Sequence, residues 1–443
     1  MKRHAFEQLE AWKKSPHRRP LVLMGARQVG KTWLMQEFGR KAYRRVAYIS
    51  FDTNEDMRRR FERDLDVQRL LTAIQLEAGF PLDAEDTLII FDEVQECPRA
   101  LTSLKYFCEF APQYHIMAAG SLLGVSAHEG TGWPVGKIDT LPVYPMSFTE
   151  FLDATGNGQL HEAIARRDWP LLTDFASRAE DLLRHYYYVG GMPAVVARFA
   201  ENNDFTEVRK AQLGLLDDYR RDFTKHAPAV ETPRLSLVWN SIPVQLAREN
   251  KRFSGNAVQQ GMRVARLEVA LQWLADSGLV YRVPRVSKPA LPLAGYQETA
   301  FKAYVLDVGL LSAQCGLAPK TLLEKNRVFT EFKGALTEQY VQQQLRAEFG
   351  TAPYYWSAGA NRAEVDFLFE QDGATVPLEV KAETNLRSKS LRSYVQRFSP
   401  PVSVRCSMAP YSRQPLRDGS TLLNIPLFGV SALRAECADA LVP

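Results

Sequence analysis

The run Gly25-Ala26-Arg27-Gln28-Val29-Gly30-Lys31-Thr32 has the spacing G-x-x-x-x-G-K-T. Glycines at its ends let successive backbone N–H groups turn inward around phosphate oxygens. The lysine adds a compact charge for terminal phosphates, and the threonine hydroxyl is a ligand for Mg²⁺. Further along, Leu88-Ile89-Ile90-Phe91 runs unbroken into Asp92-Glu93. Four apolar residues make a buried strand, and acids at its end stand where ligands bind in an open parallel sheet. Asp92 is expected in the Mg²⁺ shell, and Glu93 is placed to polarise an attacking water. Two acids at a strand end are commonplace alone; beside a phosphate loop they read as the second half of an ATP site. Ser121, after Ala118-Ala119-Gly120, either senses a γ-phosphate or caps a helix. An arginine finger stays unassigned: Arg27 lies inside the loop, and Arg99, Arg184, Arg198, Arg220 and Arg221 are all open candidates.

A second constellation lies near the C-terminus. Val365-Asp366-Phe367-Leu368-Phe369 reads as a strand, Asp372-Gly373 as a hairpin turn, and Val376-Pro377-Leu378-Glu379-Val380-Lys381 as the returning strand. The two-residue side-chain period puts Glu379 and Lys381 on one face, and Asp366 on the neighbouring strand is able to join them. Upstream, a helix over 332–349 aligns Glu338 with Val341 and Leu345 and turns it inward, where a carboxylate needs a partner or a metal. Asp366 and Glu379 are candidate ligands for a second Mg²⁺ or Mn²⁺. With Glu338 and Lys381 they make a set able to activate water for phosphodiester cleavage. The alternative is an Asp/Glu/Lys ion cluster in a domain that binds without cutting. Pro377 is awkward in a central strand and suggests a strand start or a bulge. The run 385–417 holds seven basic side chains and no acid, interleaved with Tyr394, Phe398 and Tyr411. It reads either as a phosphate-binding surface or as an ordinary solvated face.

These residues need a scaffold. The first 150 residues alternate short β-rich runs with helical patterns, as α/β domains do. Strands are expected at Pro20–Met24, Arg45–Phe51, Thr87–Phe91 and His115–Ala119, with a helix over Lys31–Phe38. From 151 to 230 the pattern is helical, broken at Gly190-Gly191-Met192-Pro193. Residues 231–315 read as helices, then the strand-like LVYRV and FKAYVLD, the order of a winged helix. Arg248, Lys251, Arg252, Arg263 and Arg266 lie near its candidate recognition helix. A final α/β domain is expected over 325–430.

The ordered series GARQVGKT, LIIFDEVQECP, AAGSLLG, LPVYPMSFTEFL and YYVGGMPAVV resembles the AAA+-related ATPases that carry a DUF4143 C-terminal domain. The resemblance covers nearly the whole chain, and the series is far more specific than the phosphate loop alone. It implies an ASCE-type P-loop core (1–150), a helical lid (151–230), a winged-helix segment (231–315) and a nuclease-like domain (325–430). Glu338, Asp366, Glu379 and Lys381 resemble the PD-(D/E)xK pattern, a helix Glu followed by D-x12-E-x-K, although Val365 precedes the Asp where Pro is usual. Expected cofactors are ATP and Mg²⁺, and DNA is the expected partner. The resemblance leaves open whether the chain forms a homo-oligomer or whether the C-terminal site is catalytic.

Composition sets bounds. A chain of 443 residues with 46% hydrophobic and 24% charged residues is globular, not disordered, and is long enough for about three domains. The net charge of +4 hides segregation: residues 1–60 hold 15 basic and 6 acidic side chains, residues 61–130 hold 4 and 12. No apolar run approaches the roughly 18 residues of a membrane helix, and the N-terminus lacks a signal-peptide core. Five cysteines without a CxxC pair suggest reduced thiols and a cytoplasmic protein, and seven scattered histidines give no zinc cluster. No G-x-S-x-G elbow suggests acyl transfer.

Overall fold

The structure is a computed structural model and describes residues 2–121, 123–128, 133–323, 330–358, 363–384, 388–416 and 419–442. It divides into two compact units, one of Lys2–Tyr144 with Asp276–Leu279, the other of Pro145–Ala275 with Val280–Pro443.

The first unit is built on five parallel strands, β1 (Leu21–Met24), β2 (Arg45–Ser50), β3 (Thr87–Asp92), β4 (His115–Ala119) and β5 (Asp139–Pro142), in the order β2-β3-β4-β1-β5. β3 and β4 are buried along their whole length, which is why their sequences are continuous in apolar residues instead of alternating. β4 stands between β1, which feeds the phosphate loop, and β3, which ends on Asp92, the arrangement of an ASCE-type core. Helices Glu55–Arg63, Val67–Ala78 and Pro98–Phe110 cover one face with Phe61, Ile74 and Phe107 over Ile49 and Phe91. The sequence reading passed over β5. It is four residues long, lies at the sheet edge and ends in a proline, so it carries little strand signal.

The second unit holds an eight-stranded mixed sheet of β6 (Val280–Val286), β7 (Gln297–Val305), β8 (Tyr354–Ser357), β9 (Glu364–Gln371), β10 (Ala374–Val380), β11 (Val402–Ser407), β12 (Ser412–Pro415) and β13 (Thr421–Pro426). The order is β12-β13-β11-β10-β9-β8-β6-β7. The segment expected as a winged helix folds as helices Thr232–Leu246, Gly255–Val258 and Glu268–Asp276 followed by the β6–β7 hairpin. That hairpin does not stand apart: β6 pairs with β8 and prolongs the C-terminal sheet. Pro377 is accommodated because the ladder from β10 to β11 begins one residue later, at Leu378.

The helix Thr330–Phe349 is buried all round from Ala335 to Leu345, so the single inward stripe expected for it is too narrow a description. Glutamines make this tolerable. Gln339 exchanges two hydrogen bonds with the Val305 backbone, at 3.1 and 2.7 Å. Gln343 accepts from Val308 N and donates to Asp307 Oδ2 and to the Tyr186 hydroxyl, and Gln344 accepts from Phe148 N. Each polar atom paired in this way avoids the penalty of a buried orphan. The Gly190-Gly191 pair lies in the same joint. Asp307 Oδ2 accepts from Gly191 N at 2.6 Å, and a Cβ on Gly191 would meet Met146 O at 2.0 Å. Two of the five family segments, MSFTEF and YYVGGMP, therefore serve packing within this unit.

Candidate functional site

The phosphate loop is shaped by backbone conformations that few residues accept. Gly25 lies at φ 145° and Gly30 at φ 93°. A Cβ on Gly25 would sit 2.2 Å from Val143 O, so the close approach of the chain leaving β5 requires glycine there. Ala26 and Val29 are buried beneath the loop, while Arg27 and Gln28 face outward, Gln28 at φ 67°. Arg3 braces the loop from below, donating to Val29 O at 3.1 Å and Tyr144 O at 2.7 Å. Gly278, at φ 74°, belongs to this unit and packs so closely on Ala26 that a Cβ would lie 3.1 Å from its nitrogen.

Lys31 opens the helix Lys31–Ala42 and turns back over the loop, donating to Gly25 O and Ala26 O, each at 2.8 Å. It is 8% exposed, and burial pulls its pKa down to about 8 against the pull of Glu93 and Asp92. Asp92 ends β3 almost fully buried. Burial raises its pKa, opposed by hydrogen bonds from the Thr32 hydroxyl and from Tyr48 Oη at 2.9 Å. Glu93 adopts the left-handed region at φ 52°, uncommon for a glutamate and suggestive of a positioned side chain. Its Oε2 accepts from Gln95 Nε2 at 2.6 Å and from Ser121 Oγ at 3.0 Å, while Ser121 N donates to Gln95 Oε1 at 3.0 Å. The fold thus brings Lys31, Thr32, Asp92, Glu93 and Ser121 together. Three neighbours escaped the sequence reading: Arg3, Tyr48 and Gln95. Only Gln95 carried a signal, two residues beyond the acidic pair. The oxygen donors of Thr32 and Asp92, already in contact, suit Mg²⁺, and a glycine-bounded loop opening a helix N-terminus suits phosphate.

The C-terminal cluster gathers the four residues picked from sequence and three that were not. Asp366 Oδ2 accepts from Val380 N at 2.8 Å, which ties β9 to β10 beside Glu379. Lys381 Nζ lies 2.7 Å from Glu379 Oε1. Lys302, on β7, is 0% exposed. Its ammonium lies 2.6 Å from Glu364 Oε1, at an angle outside hydrogen-bond geometry, 3.7 Å from Glu338 Oε2 and 3.8 Å from Asp366 Oδ1. Lys251 forms an ion pair with Glu338, and Tyr304 Oη donates to Glu338 Oε2 at 3.2 Å. Lys251, read from sequence as charge near a recognition helix, is thus turned into this cluster. Burial, together with the neighbouring Glu338 and Glu379, pushes Asp366 well above the usual carboxylate range. Burial opposes the charge of Lys302, yet Tyr304, Glu338, Glu364 and Asp366 hold it above its ordinary value. Four carboxylates, one of them favouring its proton, therefore face three ammonium groups. As arranged, this set does not fit a divalent cation, because its negative charge is already matched. The signal for Lys302 was available: it interrupts the otherwise apolar AFKAYVL.

The basic run also differs from expectation. Tyr394 is buried against Trp356 and Phe398, at ring separations of 5.3 and 4.9 Å, and Tyr411 stacks on Trp169 at 4.7 Å. Tyr394 is core, and Phe398 and Tyr411 are half-buried with their rings packed on protein aromatics, so the three do not form an open surface for stacking bases. Lys389 and Arg392 are exposed and Arg405 is buried, while Arg387 and Arg417 lie outside the described residues.

Residues 17–152 match the family described as an AAA domain, 180–321 a domain of unknown function, DUF8612, and 333–428 a domain of unknown function, DUF4143. Among solved structures, the chain is similar to the Walker-type ATPase PABY2304 of Pyrococcus abyssi, at 15% identity and a TM-score of 0.43 over 70% of this chain and 94% of that one. It is similar to the Aeropyrum pernix ORC1 protein, solved in complex with DNA, at 13% identity and TM-score 0.29 over 72% and 93%. The Thermotoga maritima RuvB Holliday junction branch migration motor matches at 15% identity and TM-score 0.28 over 64% and 90%. Comparison with curated proteins gives no match. Among the described residues, no helix is long and apolar enough to cross a membrane. The AAA domain over the phosphate loop and DUF4143 over the C-terminal sheet support an AAA+-related ATPase with a DUF4143 C-terminal domain.

Proposed function

We propose that the chain binds and hydrolyses Mg-ATP in its first unit and works as a nucleotide-controlled switch whose C-terminal, nuclease-like domain binds its partner without cutting it. DNA is the partner this reading assigns. The observation that carries it is the difference in counter-ions between the two clusters. Asp92 and Glu93 are held by hydroxyl and amide groups, while Glu338, Glu364 and Glu379 are each paired with a lysine.

The loop amides and Lys31 take the phosphates, Lys31 exchanging the carbonyls of Gly25 and Ala26 for phosphate oxygens. Thr32 and Asp92 hold Mg²⁺, which when bound neutralises charge on the β- and γ-phosphates. Glu93 orients the attacking water while Ser121 and Gln95 fix its carboxylate. In this reading residues 151–230 act as the lid and 231–315 as the winged-helix relay.

Metal-dependent cleavage is the second reading. It is favoured by Glu379 Oε2, which is buried without a hydrogen-bond partner among the described residues. One set of assays tests both. Lys31→Ala is expected to abolish phosphate release from ATP while circular dichroism stays unchanged, and undiminished turnover would overturn the ATPase reading. Plasmid DNA is expected to stay intact with Mg²⁺ or Mn²⁺. Nicking that Lys381→Ala removes would establish cleavage instead.

A further inference from the structure

A groove of about 660 Å³ lies in the second unit between the helix Lys389–Phe398 and strands β11 to β13. Ser388, Leu391, Arg392, Arg405, Gln414 and Leu422 line it, and no acidic residue does. Arg405 is the unusual member. It is 8% exposed, its Nε is buried without a hydrogen-bond partner, and no carboxylate comes within ion-pair distance of it among the described residues. A buried guanidinium with no carboxylate in ion-pair contact is costly, because its desolvation is only partly offset. Its strand neighbour in register is Glu379, which attracts it from beyond ion-pair distance and whose Oε1 is already taken by Lys381 at 2.7 Å.

Two further features converge on the groove. Ser388 caps the ten-residue helix, its Oγ accepting from Leu391 N at 3.1 Å, so the positive end of the helix dipole opens onto the same space. Arg392, on the exposed face of that helix, has no protein partner among the described residues. Guanidinium forks match phosphate oxygens in geometry as well as charge. The volume exceeds what one phosphate needs, and Leu391 and Leu422 supply an apolar wall.

We propose that this groove binds the phosphate of a nucleotide, held by Arg405, Arg392 and the helix N-terminus, with the nucleoside against the leucines. The site is separate from the phosphate loop. It deepens the reading of a DNA-binding C-terminal domain, and rests on that reading where the phosphate belongs to a strand. A free mononucleotide is the other source of the same chemistry.

The test uses the full chain carrying Lys31→Ala, which silences the phosphate loop, and a fluorescent oligothymidylate of about ten nucleotides bearing a 5′-phosphate. Anisotropy is expected to report binding that weakens roughly tenfold in Arg405→Gln and in Arg392→Gln, the slope of log affinity against log salt falling by about one for each. Competition by thymidine monophosphate at similar concentration assigns the site to mononucleotides, and competition by oligonucleotide alone assigns it to a strand. In the Lys31 background Arg392→Glu, on an exposed helix face, covers the case in which Arg405→Gln fails to fold. In otherwise wild-type chains, Arg392→Gln should leave ATP turnover unchanged. Binding retained in the Arg392 variants overturns the groove while sparing the DNA reading. Absence of binding in the Lys31→Ala parent overturns both.

Discussion

The phosphate-loop cluster and the C-terminal cluster are made of the same residue types, lysine beside paired carboxylates, yet they are electrostatic opposites. At the phosphate loop the lysine rests on two backbone carbonyls and the carboxylates on neutral donors: Thr32, Tyr48, Gln95 and Ser121. Neutral donors orient a carboxylate without cancelling its charge, which is what the proposed function asks of Asp92 and Glu93 toward a metal and a water. In the C-terminal cluster the donors are ammonium groups, and Lys302 alone faces Glu338, Glu364 and Asp366. Residue type at a given spacing does not separate the two cases; the charge of the hydrogen-bond donor does.

The largest effect is expected from removing that donor. Lys302→Met leaves buried Glu338 and its partly buried neighbours Glu364 and Asp366 without their shared cation, and breaking a buried pair in this way typically costs about 3–5 kcal/mol. Urea denaturation should show the loss. The double variant Lys302→Met with Glu364→Gln should recover part of it, since one orphaned charge is then gone. If Lys302→Met kept wild-type stability, the lysine would not be neutralising the cluster, and the contrast between the two sites would collapse.

How much of this was legible in the sequence follows from where the determinants lie. The loop, its helix and the strand before it could be read because the motif ties residue types to adjacent elements, and β3 because six buried residues in a parallel sheet leave an unbroken apolar run. The D-x12-E-x-K spacing likewise placed Asp366 and Glu379 on neighbouring strands, since a two-residue turn fixes their register. Lys251 and Lys302 were not legible as partners of Glu338, from which they are 87 and 36 residues distant in the chain. Only the joining of β6 to β8 brings β7 to that end of the sheet. The burial of helix Thr330–Phe349 on every side was not legible for a related reason. Polar atoms of Gln339, Gln343 and Gln344 are satisfied by Val305, Asp307 and Phe148, which no helical periodicity predicts.

A pH titration sharpens the comparison at the first site. Lys31 has a pKa of about 8 because it is buried against carbonyls instead of being paired with an acid. Phosphates favour its charged form, so the bound lysine titrates higher than the free one. Affinity for Mg-ATP should then be flat below the free pKa and fall as pH rises through it, by up to about tenfold per pH unit, because binding must take up a proton. Calorimetry at pH 7 and pH 9, in buffers of different ionisation enthalpy, reads both the affinity and the proton uptake. Equal affinity at the two pH values, with no proton taken up, would mean that Lys31 stays charged throughout.

The smallest effect concerns Gln95, and it isolates what a neutral donor contributes. Its amide bridges Glu93 Oε2 and Ser121 N, so it orients the carboxylate without touching the phosphate loop. A hydrogen bond of this kind is worth about 0.5–1.5 kcal/mol, which corresponds to roughly two- to tenfold in rate if it is needed only to aim Glu93. Gln95→Ala should therefore lower kcat within that range and leave ATP affinity unchanged. Gln95→Lys asks the sharper question, because it gives Glu93 the kind of partner that Glu379 has in Lys381. If orientation alone mattered, the lysine would substitute for the amide and turnover would recover. If uncancelled charge is what Glu93 supplies, the lysine variant should be slower than the alanine one, and the order of those two rates decides between the accounts.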